Sequence, residues 1–143
     1  MYKIKVERVD DDFHFVGTNE RGNQVHMDTG VKEGGHGEGA GPMQLLVMAI
    51  GGCSGIDIIS ILKKGRQQVD DFNVDLTAER FEGEVPSLFK KVHAHYTLKG
   101  DLDHEKVKRA IELSIGKYCS VSKTIEATAE ITFSYTVNDV DYV

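Results

Sequence analysis

The chain has 143 residues, which suits one domain with a moderate hydrophobic core and leaves little room for a second. Apolar residues make up 40% and charged residues 28%, ordinary for a folded soluble protein and too apolar for a disordered one. The formal charge of −6 argues against nucleic acid or anionic membrane as a main partner, because such binding gains its affinity from lysine and arginine on phosphates.

The N-terminal stretch "MYKIKVERVDDDFHF" lacks the basic, apolar and small-residue regions of a signal peptide. Two cysteines without a CxxC or zinc-type spacing make neither a disulfide framework nor a metal motif. The expectation is a single domain over 1–143 in the cytoplasm, with no metal and no cofactor.

The first 28 residues predict three short strands: "YKIKVERV" and "FHFVG" alternate with period two, and "GNQVHMD" follows a turn at Arg21-Gly22-Asn23. "GVKEGGHGEGAGP" then predicts a mobile loop able to approach a ligand closely. It is not a phosphate loop, because the Walker and dinucleotide glycine spacings are absent and Glu33 and Glu38 would repel phosphate.

A long helix is predicted from Pro42 to about Arg66, with proline suited to the first helical position. It is apolar nearly all round, so it must be covered on several sides. About 25 residues make a rod of roughly 37 Å, more than one small chain can cover, and a homodimer is expected. A membrane span is disfavoured by Asp57 near the centre, which costs roughly 2.5–3.5 kcal/mol on an insertion scale, and by the lack of aromatic residues at the ends.

Two strands follow, "FNVDLTAERF" and "FKKVHAHYTLKG", joined by "EGEVPS". "DHEKVKRAIELSIGKYC" predicts an amphipathic helix capped by Asp103, with Val107, Ala110, Ile111 and Leu113 or Ser114 on one face, ending at Gly116. A short helical turn in "SVSKTIEAT" and a strand in "AEITFSYTVN", with Ile131, Phe133 and Tyr135 on one face, complete the chain. Strands and helices are largely segregated, which indicates α+β.

The chemistry centres on residues 49–57, "AIGGCSGID", where three glycines surround a thiol inside an apolar helix. Each glycine costs about 1 kcal/mol relative to alanine there. Either another helix crosses at short range or space is reserved for a substrate reaching Cys53. An apolar setting raises a thiol pKa, and the helix N-terminus is about three turns away, beyond the reach of its field. Activation therefore needs a cation from elsewhere, with Arg8 and Arg21 as candidates. Cys119 follows the second helix; if its turn packs against Gly51–Gly55 the pair can exchange a disulfide, and otherwise the two are separate buried cysteines.

"GPMQLLVMAIGGCSGIDIISIL" followed by "KYCSVSKTI" resembles the OsmC/Ohr-like proteins, the osmotically induced and organic-hydroperoxide-resistance group, over nearly the whole chain. The resemblance implies an intertwined α+β homodimer, with long central helices wrapped by antiparallel sheets and active sites at the interface. It implies thiol-dependent reduction of small organic hydroperoxides, with Cys53 peroxidatic, Cys119 resolving and a dithiol as reductant. Met43 stands where the hydroperoxide-resistance enzymes carry a glutamate, so Gln44 and Arg8 are the supporting candidates. Ser120 replaces a proline while Ser122 matches, which places the chain nearer a branch with a GGC-type helix.

Two other readings are weighed. One is a non-catalytic protein binding a small apolar or thiol-bearing ligand in the interface pocket. The other is a metal site built on His93 and His95 with His26 and His36, against which stands the lack of any zinc-type spacing. Asp57, one turn after Cys53, would oppose thiolate formation unless it is turned away or pairs with a cation, such as a lysine or arginine across the interface.

Overall fold

Alternation in the first 28 residues builds an antiparallel meander of β1 (Ile4–Arg8), β2 (Phe15–Asn19) and β3 (Gln24–Met27). The computed structural model describes residues 1–143, which divide into two compact units, Met1–Leu46 and Val47–Val143. In the first unit the glycine-rich loop proves tethered. Asp28, itself buried, accepts the backbone N–H of Thr29 at 2.7 Å, of His36 at 3.2 Å and of Glu38 at 3.1 Å. Burial pushes the Asp28 carboxyl up, but the amides of Glu38, Thr29 and His36 outweigh it and hold the group below the usual carboxylate range. A carboxylate that collects three amides folds the loop around itself as a cradle.

Glycine serves that cradle by closeness. A β-carbon on Gly39 would lie 2.5 Å from the carbonyl of His26, and one on Gly35 would collide with the carbonyl oxygen of Thr29.

The long helix α1 (Pro42–Lys64) begins at the proline, and Gln44 Oε1 accepts the Gly41 N–H at 2.9 Å, a reach-back from the third helical residue that satisfies an orphan donor. It stops short of Arg66, whose left-handed φ of 57° terminates the helical path. By length and apolarity α1 could cross a membrane, and only 28% of its most apolar stretch is buried within this chain.

The second unit holds a sheet in the order β4 (Gln68–Arg80), β5 (Phe89–Asp101), β6 (Glu130–Val137), β7 (Val140–Tyr142). β4 and β5 pair antiparallel along nearly their whole length. β6 runs parallel to β5, because the intervening helices α2 (His104–Leu113) and α3 (Ser120–Ile125) form a crossover long enough to return the chain to the same edge. β7 is an addition to the predicted elements. Asn138 and Asp139, with φ of 49° and 68°, make the left-handed two-residue turn that favours a hairpin, and the Asn-Asp pair is its sequence signal.

Period-two patterning sends Val92, Ala94, Tyr96 and Leu98 of β5 and Tyr135 and Val137 of β6 to one sheet face. There they meet Ile58 and Leu62 of α1 and Val107, Ala110 and Ile111 of α2. Ile131 and Phe133 join Tyr135 on this face, as the pattern predicts. Asp103 caps α2 by accepting the N–H of Glu105 at 2.9 Å and of Lys106 at 3.3 Å. Ser114, fully buried, completes the inner helix face in place of the partly exposed Leu113.

Candidate active site around Cys53 and Cys119

The glycines flanking Cys53 have distinct neighbours. A β-carbon on Gly51 would stand 2.8 Å from Leu76 Cδ1, and one on Gly55 would stand 3.3 Å from Phe72 Cε1; Gly52 faces open space. Spaced one turn apart, Gly51 and Gly55 bring α1 down onto β4. Within the chain it is therefore the sheet, rather than a second helix, that makes the close approach. Beside Gly52 an open groove of about 680 Å³ runs between α1 and β4, floored by Phe72 and Val74 and bounded by Ile56 and Ile59.

Cys119 reaches the same place by an irregularity. α2 does not end at Gly116. It widens into a π-helical turn, Ser114–Tyr118, closed by the Cys119 N–H donating to the Ser114 carbonyl at 2.7 Å. Cys119 then caps α3, its Sγ accepting the Ser122 hydroxyl at 3.1 Å and the Ser122 N–H at 3.4 Å. The two sulfurs and a carboxylate oxygen of Asp57 all lie within 4.8 Å of one another. Both thiols are free; Cys53 is half-buried and Cys119 fully buried. Burial pushes the Cys119 thiol up, the Ser122 hydroxyl and amide oppose that shift, and the neighbouring Cys53 adds to it.

A hydroxyl network backs the sulfurs. Ser114 Oγ donates to Asp57 Oδ2 at 3.1 Å and approaches the Ser54 carbonyl at 3.4 Å, while Tyr96 donates to Ser54 Oγ at 2.8 Å. Burial pushes Tyr96 up to about 12; its bond to Ser54 works against this, and nearby Cys119 and Asp57 reinforce it. Sequence reading passed over Ser54 and Tyr96. Their signal was a serine in an apolar helix and a tyrosine on the inner face of a strand, both of which need a partner when buried.

The supporting candidates lie in the first unit and have local roles there. Arg8 Nε donates to the Asp12 carbonyl at 2.9 Å and its terminal nitrogen to the Asp11 carbonyl. Gln44 caps α1. Asp57 forms no ion pair with a lysine or arginine of the chain, and its partner is the Ser114 hydroxyl. His93 and His95 lie on the sheet face away from the helices. All four of their ring nitrogens engage hydroxyls of Thr132, Ser134 and Thr136 at 2.7–3.0 Å, which leaves them occupied as hydrogen-bonding groups. His26 pairs with His14 at 2.8 Å and His36 with Asp12 at 2.7 Å.

A family profile described as OsmC-like protein matches residues 35–134. The protein YhfA of Escherichia coli K12 is 46% identical over 125 residues, covering 86% of this chain and 89% of that protein. A crystal structure of a hypothetical protein from Aquifex aeolicus superposes with a TM-score of 0.79 at 27% identity, covering 96% of this chain and 98% of that one. An organic hydroperoxide resistance protein OsmC from Legionella pneumophila shares the fold, with a TM-score of 0.72 over 96% of this chain and 97% of that one at 16% identity.

Proposed function

Since the chain belongs to the OsmC-like family, we propose that it is a thiol-dependent peroxidase acting on small organic hydroperoxides. The observation that carries the reading is the pair of free sulfurs within 4.8 Å of each other, one half-exposed and one buried. The Cys53 thiolate attacks the peroxide O–O bond; the alkoxide takes up a proton and leaves as alcohol, and Cys53 becomes a sulfenic acid. The Cys119 thiolate then displaces hydroxide from that sulfur, which leaves as water, and the disulfide forms. A dithiol reductant reopens it by exchange and is itself oxidised. This cycle needs a reducing compartment, in keeping with the cytoplasm, and no metal or organic cofactor.

The partly exposed position of Cys53 suits the residue that meets substrate. The serine-held position of Cys119 suits one that waits for the sulfenic acid. A homodimer completes the proposal: Leu46, Met48 and Ile56 on α1 are 45%, 56% and 74% exposed, an apolar surface that a second copy would cover. The test is consumption of tert-butyl or cumene hydroperoxide with a dithiol donor. Wild type turns over, Cys53→Ser does not, and Cys119→Ser reacts once and stalls as sulfenic acid. Equal, slow consumption by wild type and Cys53→Ser would end the proposal.

The groove beside Gly52 favours a second reading, a non-catalytic protein that holds a small apolar ligand. Native mass spectrometry separates the two, since a co-purifying ligand with both thiols inert to peroxide would support the binding protein.

A further inference from the structure

Asp57 has no part in the peroxide cycle. One of its carboxylate oxygens lies within 4.8 Å of both sulfurs, and no lysine or arginine of this chain pairs with it. One kind of partner turns all three groups into allies, a thiophilic divalent cation.

We infer that reduced Cys53, Asp57 and Cys119 form a zinc-class metal site with a fourth position open beside Cys53. At Zn–S bonds of about 2.3 Å and Zn–O bonds of about 2.0–2.2 Å, tetrahedral ligand atoms stand roughly 3.5–3.8 Å apart, so three donors already within 4.8 Å need only a small contraction. Two sulfurs and one carboxylate select zinc over the hard cations magnesium and calcium.

The surroundings supply the outer shell such a site requires. Ser122 donates its hydroxyl and its N–H to the Cys119 sulfur, and the Ser114 hydroxyl donates to Asp57 Oδ2. Each donor favours the anionic ligand and sets its direction. Ser114 and Ser122 are buried, so these bonds are shielded from water.

Binding releases two protons, one from each thiol, and leaves a complex of two thiolates and a carboxylate on the ion. Two-electron oxidation of the sulfurs to the disulfide removes both thiolate ligands. With a hydroperoxide as oxidant, the metal-bound dithiolate, the hydroperoxide and two protons give disulfide, alcohol, water and free metal ion. Metal and disulfide thus exclude each other, and the pair holds the ion only while it is reduced.

The test reads metal rather than turnover, so its outcome is separate from that of the peroxidase assay. Cobalt(II) is titrated into the reduced, metal-free protein, and zinc affinity is then measured by competition with a chromophoric chelator. The expected result is one cobalt per chain with a sulfur-to-cobalt charge-transfer band and tetrahedral d–d bands, all displaced by zinc. Asp57→Asn weakens zinc binding at least about tenfold. Wild type oxidised to the disulfide, a form that needs no substitution, loses the band and the binding. Absence of the charge-transfer band in reduced wild type, or equal zinc affinity in the reduced and disulfide forms, would overturn the inference.

Discussion

The loop at 29–41 and the helix segment at 49–57 are both crowded with glycine, yet glycine answers a different neighbour in each. In the loop, Gly35 and Gly39 lie against carbonyl groups of Thr29 and His26, atoms that cannot give way. In the helix, Gly51 and Gly55 lie under the ends of Leu76 and Phe72, side chains that can turn aside, and Gly52 lies under nothing. The regions also differ in what holds them. An ionised carboxylate, Asp28, gathers loop amides, whereas the Ser122 hydroxyl holds the Cys119 sulfur and those of Ser114 and Tyr96 hold its neighbours Asp57 and Ser54. A shared composition thus conceals one rigid backbone cradle and one adjustable side-chain contact.

Substitution of Gly39 by alanine draws the sharpest line between them. We expect a loss of about 3 kcal/mol in urea unfolding, because the added methyl meets backbone. Gly51→Ala, in contrast, stays within about 1 kcal/mol of wild type, since Leu76 can shift and alanine favours the helix. Equal losses at the two positions would erase the distinction.

The pH edges come next. The Asp28 pKa is held down in the folded protein, so its contribution is present above the unfolded value near 4 and disappears as pH falls through the lower folded value. Amide resonances of Thr29, His36 and Glu38 should move together in that acid range and stay fixed in Asp28→Asn. For Tyr96 the sign is opposite. Its folded value of about 12 lies above the unfolded 10, so stability is intact below pH 10 and declines between 10 and 12. Two units correspond to about 3 kcal/mol, read from denaturant midpoints, and ultraviolet titration should lose its latest tyrosine step in Tyr96→Phe.

The smallest effect is the most informative about assembly. Gly52→Ala should stabilise an isolated chain by about 0.5–1 kcal/mol, because nothing opposes the methyl and helix propensity improves. In a dimer whose partner packs on this face, the same change would instead raise the dissociation constant, which analytical ultracentrifugation measures.

Most of the fold was legible in the sequence because its signals are local. Alternation marked β1, β2, β4, β5 and β6, the turn at Arg21-Gly22-Asn23 marked β3, Pro42 and Asp103 marked two helix starts, and a continuous apolar run marked α1. The misses share a cause. Gly116 reads as a stop, yet it sits inside a π turn whose purpose is to bring Cys119 beside α1, and nothing within four residues of Gly116 announces that. The parallel pairing of β6 with β5 likewise depends on where two helices return the chain.

The reactive pair follows the same division. One sequence determined by itself that Cys53 sits amid glycines in an apolar helix and that Cys119 lies at a turn, because composition and periodicity act over a few residues. Only the tertiary structure decided that the two sulfurs converge with Asp57, that serines and a tyrosine back them, and that Gly51 and Gly55 admit a strand. Those relations join positions tens of residues apart, and what places them is packing of helices on a sheet, which no local pattern encodes.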